Sequence, residues 1–291
     1  MMASSTPARI LLIGCGRINT RLGVKLVAAG AQVWGLRRDT TQLPADFEAL
    51  SVDLLKPVEQ ELPEVDAMVI TLTPGMGQTP GHPEGFLDAL NNLAAALPGV
   101  PPRVVFVSST RVFEGRTDGQ LITEADEPVP TTPRGEILLN AEVLARELFA
   151  AHIIRPAGIY GPGREMMIRK AMAKDPVPYA RRTNRIHEAD LVHALERMLT
   201  DHTPAQLVHA VDQSPATMGE VVTFIADQLG IDPPAPAVPE VAAGTVLGGE
   251  RLLQLVGKLH YPTFEAGYRQ ILGEQVQKNS EITPHIVSQR T

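Results

Sequence analysis

A strand–loop–helix unit at the start of the chain limits its fold more than any other feature. Residues 8–14, ARILLIG, form an apolar run of the length expected for a buried strand, and a helical pattern continues to Gly30. The loop between them reads GCGRIN, in which Gly14 permits a tight turn and Gly16 lets the backbone approach a pyrophosphate. The helix N-terminus that follows offers free N–H groups. This spacing predicts a dinucleotide phosphate loop, and an ordinary strand–helix turn is the alternative.

Short apolar runs and helical patterns then alternate, which is typical of βαβ units. Further strands are predicted at residues 31–36, 49–54, 66–73, 103–109, 152–156 and 205–211, and helices at 83–97, 135–150 and 188–200. This order predicts an α/β fold with a doubly wound parallel sheet, the Rossmann arrangement, and a smaller C-terminal α/β lobe for a substrate.

The second half of the chain is more broken, and its pieces predict that small lobe. Thr217 and Glu220 form a capping box that opens a helix ending at Gly230, and a last helix is predicted near 263–273. We assign residues 1–156 and 186–212 to the Rossmann domain, residues 157–185 and 213–275 to the substrate lobe, and residues 276–291 to a flexible tail.

Composition and charge argue against several classes of function. The net charge of −7 and the scattered basic residues argue against a nucleic-acid surface. The longest apolar runs are too short to cross a membrane, and the first residues lack the apolar core of a secretory signal. The lone cysteine, Cys15, excludes an internal disulfide framework, and the eight histidines show no metal-ligand spacing. We therefore expect a cytoplasmic protein with no metal site.

The end of the second predicted strand bears on the choice of cofactor. An acidic residue there would accept a hydrogen bond from the ribose 2′-hydroxyl of NAD, whereas this chain has Arg37 and Arg38. Guanidinium groups suit the extra phosphate of NADP, and a solvated charge group that includes Asp39 is the alternative. NADP is therefore predicted, with NAD possible. Asp53 and Leu54 either border the adenine or simply form an exposed strand end.

Four longer segments resemble the extended type of short-chain dehydrogenase/reductase, the NAD-dependent epimerase/dehydratase-like family. They are VFVSSTRVFEG at 105–115, RPAGIYGPG at 155–163, NRIHEADLVHAL at 184–195 and LHYPTFEAGYRQIL at 259–272. The first three are similar to the family's SS-x-x-V-Y-G, R-P-x-x-x-Y-G-P-G and I-H-V-x-D-L motifs, and the fourth resembles a bacterial atypical subgroup. The resemblance runs from Ile10 to about Leu272 and implies a Rossmann fold, a bound dinucleotide and a small-molecule substrate.

The resemblance also implies which residues form the site. The expected cofactor contacts are Gly14, Gly16, Arg17, Ile18, Asn19, Arg37, Arg38, Asp53, Leu54, Leu72, Thr73 and Pro156. The expected substrate contacts are Thr110, Arg111 and His187. Ser109 matches the active-site hydroxyl that hydrogen-bonds the substrate oxygen.

The Tyr-x-x-x-Lys pair of this family is missing. In the matching helix Arg134 stands at the tyrosine position and Leu138 at the lysine position, and neither can take over proton transfer. Tyr160 and His187 could replace the tyrosine, although each has a structural role as its alternative. Arg134 could instead clamp a substrate carboxylate or phosphate. The catalytic candidates are therefore Ser109, Tyr160 and Arg134.

These observations predict an NAD(P)-dependent oxidoreductase or epimerase/dehydratase-like enzyme that acts on a small polar substrate with non-standard catalytic residues. The alternative is a non-catalytic NADP-binding sensor or regulatory protein, which the loss of both members of the pair favours. Helices at 82–97 and 134–150 occupy positions through which many relatives dimerise, so a homodimer is possible by analogy.

Overall fold

The computed structural model of the protein describes residues 6–73, 85–116, 119–238 and 243–282. The predicted start of one helix, at 82–84, lies outside these residues, as does the end of the predicted tail. The strands, in chain order, are β1 (Arg9–Ile13), β2 (Gln32–Arg37), β3 (Glu48–Ser51), β4 (Ala67–Ile70), β5 (Arg103–Val107), β6 (Leu121–Ile122), β7 (His152–Pro156), β8 (Gly158–Tyr160), β9 (Arg182–Thr183), β10 (Arg185–His187), β11 (Leu207–Ala210), β12 (Ala216–Thr217) and β13 (Val246–Leu247).

The helices begin and end close to the predicted positions in most cases. They are α1 (Arg17–Ala28), α2 (Gly85–Ala96), α3 (Pro133–Phe149), α4 (Met166–Ala173), α5 (Glu188–Thr200), α6 (Met218–Leu229), α7 (Glu250–Val256) and α8 (Phe264–Ile282), with a short 3₁₀ helix at Thr110–Phe113. The capping box of α6 is present, and Gly230 ends that helix in the left-handed conformation.

A parallel sheet of seven strands organises the described part of the chain, in the order β11-β7-β5-β4-β1-β2-β3. The order reverses beside β1, as expected for a doubly wound sheet, so the predicted α/β fold is confirmed. In the registers of β1 with its two neighbours, Ile13 aligns with Leu36 and with Ile70. The carboxyl ends of these three strands therefore lie together at one edge, where ligands of such sheets bind.

Apolar side chains cover both faces of the sheet. On one face α2 and α3 pack through residues such as Leu90 and Ala141, and on the other α1 and α5 pack through residues such as Leu22 and Leu195. A third cluster, which includes Ile168, Val221 and Tyr268, joins α4, α6 and α8. These residues come from 160–171 and 216–272, and they form an apolar cluster apart from the two on the faces of the sheet.

Two helices differ from expectation. Helix α7 has no predicted counterpart, and its Leu252 and Leu255 pack with α1 and α5 on the Rossmann face, although the predicted lobe included them. Helix α8 continues to Ile282, whereas the prediction ended it near residue 273 and began a flexible tail at 276. The sequence after Gly273 is polar, but glutamate, glutamine and lysine are good helix formers, which explains the longer helix.

Candidate functional site

The loop after β1 has the backbone that a phosphate site requires. Gly14 has a φ of +67°, and a Cβ there would lie 2.9 Å from the carbonyl oxygen of Thr71 at the end of β4. The Thr71 hydroxyl donates to the Gly14 carbonyl at 2.9 Å and fixes this close approach. A Cβ on Gly16 would meet only the Gly14 carbonyl, at 3.8 Å, so space above the loop is open. This pair of glycines is what a bound pyrophosphate needs.

Helix α1 presents its N-terminus to the same open space. Its N-cap, Gly16, makes no side-chain capping hydrogen bond, and its first turn contains no acidic residue. Asn19, where the family's third glycine stands, is fully buried, and its side-chain amide donates to the Ile13 carbonyl at 3.0 Å. The amide thereby ties the helix to β1, and the first backbone N–H groups of the helix remain available to bind an anion.

A cavity of about 340 Å³ opens above this loop at the carboxyl edge of the sheet. It is lined by Gly14, Gly16, Leu36, Arg37, Arg38, Asp39, Val52, Leu54, Thr71, Leu72 and Thr73, and we call it the nucleotide cavity. Seven of the predicted cofactor contacts are in this lining. Ile18 and Asn19 instead pack beneath the loop, and Asp53 borders the neighbouring surface, where its carboxylate accepts from the Leu55 N–H at 3.2 Å.

The arginine pair at the end of β2 lies on the wall of the nucleotide cavity. Arg37 is half-buried and donates from Nη1 to the Cys15 carbonyl at 3.3 Å, which holds its guanidinium against the phosphate loop. Arg38 is exposed. Asp39 was not among the predicted contacts, but it also lines the cavity. Its carboxylate accepts from the backbone and hydroxyl of Thr41, and these hydrogen bonds lower the pKa of Asp39.

Arg17 makes a contact that the sequence did not predict. Its Nε donates to Glu188 Oε2 at 2.8 Å and its Nη2 to Oε1 at 3.0 Å, while Arg21 Nη1 lies 2.8 Å from the same Oε1. The Glu188 carboxylate is fully buried. Its one sequence signal is that glutamate stands where the family's I-H-V-x-D-L motif has valine. Arg17 therefore links the phosphate loop to helix α5.

The Arg17–Glu188 pair also packs on the turn after β8. A Cβ on Gly161 would lie 2.5 Å from Glu188 Cγ, and one on Gly163 would lie 2.8 Å from Arg17 Nη1. Both glycines have positive φ, +155° and +78°. The Tyr-Gly-Pro-Gly turn thus requires glycine at these positions because the ion pair occupies the space beside them.

The predicted catalytic serine begins the 3₁₀ helix after β5. Ser109 is half-buried, and its hydroxyl oxygen accepts from the Arg111 N–H at 3.2 Å. The Thr110 hydroxyl donates to the Pro156 carbonyl at 3.4 Å, so this turn is tied to the end of β7. The Arg111 guanidinium pairs with Glu114 at 3.2 Å. Ser109 consequently lies at the same carboxyl edge of the sheet as the nucleotide cavity.

Helix α3 holds the two positions of the missing pair in different environments. Arg134 is exposed in the first turn, whereas Leu138 is only 3% exposed and packs in the core. The helix is anchored by Glu142, which is fully buried and accepts from Arg155 at 2.8 and 2.7 Å. The hydroxyl of Ser108 donates to the same carboxylate at 2.6 Å, so Ser108, unlike Ser109, belongs to the core.

Tyr160 and His187 lie together, but inside the protein. Their rings meet edge to face at 5.2 Å, and Tyr268 lies 4.9 Å from Tyr160. Tyr160 is only 4% exposed, and burial together with nearby acidic groups, including Asp212, raises the pKa of its hydroxyl strongly. Burial also lowers the pKa of His187, whose Nδ1 accepts from the Ala189 N–H and caps helix α5. In this arrangement both side chains have structural partners.

The described residues contain neither a membrane-spanning helix nor a cluster of metal-ligating side chains. None of the helices in these ranges is long and apolar enough to cross a membrane. Within the same parts of the chain, histidine, cysteine, aspartate and glutamate form no group of three or more that could hold a metal ion.

Comparisons with known proteins agree with this architecture. No family model and no curated protein matches the chain, but solved structures do. A protein from Methylobacillus flagellatus, assigned as an NAD-dependent epimerase/dehydratase, is 29% identical with a TM-score of 0.76, over 92% of this chain and 98% of that one. TunA, an NAD-dependent NDP-hexosamine 5,6-dehydratase of tunicamycin biosynthesis, is 18% identical with a TM-score of 0.74, over 93% and 98% of the two chains. MoeE5, solved with UDP-glucuronic acid and NAD, is 21% identical with a TM-score of 0.70, over 93% and 99%.

These similarities show which architecture the chain has. It has the NAD(P)-binding Rossmann architecture of the epimerase/dehydratase-like proteins, and the predicted resemblance to extended short-chain dehydrogenase/reductases is confirmed. This agreement rests on the TM-scores and the near-complete overlap with these structures, beside the strand order and the glycine loop of this chain.

Proposed function

We propose that the protein is an NAD(P)-dependent oxidoreductase or epimerase/dehydratase-like enzyme that acts on a small polar substrate without the usual tyrosine–lysine pair. The nucleotide cavity carries this proposal, because Gly14, Gly16, Arg37 and Arg38 line one space at the edge where such sheets bind ligands. A nicotinamide cofactor bound there would supply hydride transfer, and the protein would supply binding and orientation.

NADP is the preferred cofactor in this proposal. The open space above Gly16 suits the pyrophosphate, and the two arginines at the end of β2 give a 2′-phosphate a pair of cationic partners. NAD is the alternative, and Asp39 favours it, since a carboxylate on the same wall can accept from a ribose 2′-hydroxyl. The relative MoeE5 was solved with NAD.

Ser109 is the proposed catalytic hydroxyl. It is half-buried at the carboxyl end of β5, next to a turn that Thr110 ties to Pro156. From this place its hydroxyl can donate to a substrate oxygen at the same edge of the sheet. Arg134 is exposed and able to bind a substrate anion, whereas Tyr160 would have to leave its stacked, buried position before it could donate a proton. We therefore retain Ser109 and Arg134 ahead of Tyr160.

Turnover tests the enzymatic part of the proposal. Purified protein would be mixed with NADPH and panels of small carbonyl compounds, imines and enones, and the loss of absorbance at the nicotinamide band would be followed. Ser109→Ala should reduce any turnover by about 100-fold, in the range of a lost acid–base group, and leave NADPH affinity unchanged. Ser108→Ala and Ser51→Ala are not suitable controls, because these hydroxyls donate to buried Glu142 and to the Arg38 carbonyl. Thr203→Ala, which removes an exposed hydroxyl in the turn after α5, is the suitable control.

A non-catalytic, NADP-binding sensor is the second candidate. The observation that favours it is that Leu138, at the position of the usual lysine, and Tyr160, the possible replacement for the tyrosine, are both buried in the core. If the protein is a sensor, it should bind NADPH tightly and turn over none of the panel compounds. Ser109→Ala should then show the same absence of turnover as the wild-type protein. Turnover that depends on Ser109 would exclude it.

We also propose where the protein is located and how it assembles. The single cysteine is buried, which is compatible with a reducing, cytoplasmic setting. Helices α2 and α3 lie side by side, and the apolar side chain of Val143 on α3 is 47% exposed to solvent. A homodimer through this helix pair is therefore proposed, and sedimentation of the purified chain tests it.

A further inference from the structure

A second cavity, of about 270 Å³, lies beyond the end of β7 and apart from the nucleotide cavity. It is lined by Gly158, Ile159, Tyr160, Arg164, Met166, Met167, Arg181, Thr183, Asn184, Arg185, Met218 and Tyr268, and we call it the arginine–methionine cavity. Gly158 follows Pro156, the last residue of β7, by two positions. The cavity therefore begins at the same carboxyl edge of the sheet and extends into the lobe formed by α4, α6 and α8.

The charged groups of this lining are all cationic. Arg164 and Arg181 are exposed at the rim, and neither has an ion pair with another described residue. Arg185 is only 6% exposed, and its Nη2 donates to the Thr183 hydroxyl. Its Nη1 is buried with no hydrogen-bond partner among the described residues. An unpaired, buried guanidinium N–H is costly, so its presence beside a cavity points to an anionic ligand.

Acidic groups near the cavity partly offset this charge. Asp212 is buried close to Arg185, and burial raises the pKa of its carboxyl to about 7, so it is partly uncharged at neutral pH. Glu220 sits at the start of α6, and its carboxylate is used by the Thr217 capping box. Glu165 accepts from the Gly163 N–H. None of these three carboxylates lines the cavity, although the whole chain carries a net charge of −7.

The rest of the lining is apolar and adaptable. Met166, Met167 and Met218 form much of the wall together with Ile159, and the stacked rings of Tyr160 and Tyr268 lie beneath them. Methionine side chains fit irregular apolar groups because they are unbranched and polarisable. The volume is below the range of about 300–1,000 Å³ typical of pockets for drug-sized ligands, which favours a compact ligand.

We propose that the arginine–methionine cavity binds the substrate as a compact organic anion, whose carboxylate or phosphate meets the three arginines and whose apolar body contacts the methionines. This inference rests on the proposed function, since it identifies the substrate class of the same site. The recognised chemistry is a small anionic group, which either a carboxylate or a phosphate ester supplies. The small cavity volume and the methionine wall disfavour a nucleotide-linked substrate, which is the alternative that the experiment below tests.

Titration calorimetry with matched probes tests the proposal. Hexanoate and hexyl phosphate serve as the two anions, hexanamide as the neutral match and uridine 5′-diphosphate as the nucleotide, each titrated into protein with and without NADPH. We expect saturable binding of at least one hexyl anion, with hexanamide and uridine 5′-diphosphate weaker. The double variant Arg164→Gln/Arg181→Gln, at two exposed positions that need not disturb folding, should weaken the anion by at least about tenfold. Arg169→Gln, an exposed arginine on the neighbouring helix α4 and outside the cavity, is the matched control.

Each possible result decides the matter. Equal affinity for hexanoate, hexyl phosphate and hexanamide, tighter binding of uridine 5′-diphosphate, or equal weakening by Arg169→Gln would overturn the anion proposal, as would no binding of either anion at millimolar concentrations. Binding of NADPH by the double variant distinguishes failure of the anion proposal from failure of the proposed function. If the variant and the wild-type protein both bind NADPH while the anions fail, only this inference is lost; if NADPH itself does not bind, the proposed function fails first.

Discussion

Arg17 on the phosphate loop and Glu188 at the start of α5 are 171 positions apart in the chain and form a two-pronged ion pair at 2.8 and 3.0 Å. Helix α5 begins directly after β10, and the pair packs on the glycines of the Tyr-Gly-Pro-Gly turn. One carboxylate therefore joins the cofactor side of the site to the loop that leads into the arginine–methionine cavity. A buried carboxylate with two arginine partners is stable only while those partners remain.

Loss of this carboxylate should weaken the fold measurably. Glu188→Gln leaves Arg17 and Arg21 without their charged partner, and we expect the free energy of unfolding to fall by about 1–3 kcal/mol, as for a buried charge-assisted hydrogen bond. Urea unfolding followed by circular dichroism measures this. The matched control is Lys25→Met, which removes the exposed pair between Lys25 and Glu196 and should cost only about 0–1 kcal/mol. Equal effects of the two variants would show that burial of Glu188 contributes nothing.

Gly14→Ala should abolish cofactor binding and destabilise the protein. The new Cβ would stand 2.9 Å from the Thr71 carbonyl, and the residue would also have to keep a φ of +67°. Gly30→Ala is the control: it has a φ of +92°, but a Cβ there meets nothing within 4 Å. The control should lose about 1 kcal/mol from backbone strain alone and bind NADPH normally. Tight NADPH binding by Gly14→Ala would contradict the assignment of the phosphate loop.

Stability should fall as the pH rises toward neutrality because of Asp212. Burial raises the pKa of this carboxyl to about 7, while Arg185 and the Ser214 N–H pull it down. The folded state then binds a proton that the unfolded state has already lost above about pH 4, so this contribution is full at low pH and is lost progressively between about pH 4 and 7. Asp212→Asn should flatten the fall in unfolding free energy between about pH 4.5 and 7. An unchanged slope in the variant would show that Asp212 does not titrate there.

His209 should act in the opposite direction in acid. Its ring packs edge-on against Phe113 at 5.3 Å, and burial lowers its pKa to about 3. The unfolded state therefore binds a proton that the folded state refuses, and stability is lost as the pH falls below about 6.5. Thermal melts of His209→Gln should show a smaller loss between pH 6.5 and 4 than wild type, and a loss of the same size would rule out His209 as a source of acid sensitivity.

Local signals in the sequence predicted much of the fold. Helix α5 runs over Glu188–Thr200 as its apolar periodicity indicates, and the Thr217–Glu220 capping box begins α6 where expected. The phosphate loop was recognisable because glycine spacing and the strand before it lie within a few residues of each other. Seven predicted cofactor contacts meet in one cavity for the same reason, since parallel strands end at one edge.

The remaining features depend on contacts between distant segments. Nothing near Arg17 in the sequence shows that Glu188 is its partner, and nothing in the sequence pattern shows that Asp39 lines the nucleotide cavity beside the two arginines. Tyr160 is a plausible acid in its motif, but packing against Tyr268, about a hundred residues later, buries it. Charge pairing and burial of this kind are set by tertiary structure, which residue patterns do not encode.

The nucleotide cavity is proposed above all to bind NADP through its glycine loop and arginine pair. Calorimetric titration of cofactor-free protein with NADPH and with NADH tests it directly, together with Arg37→Ala/Arg38→Ala and the exposed-arginine control Arg169→Ala. We expect NADPH to bind at least about tenfold more tightly than NADH, and the double variant, but not the control, to lose that preference. Binding of neither cofactor would contradict the claim outright, and equal losses for NADPH and NADH in the double variant would contradict the role of the arginine pair.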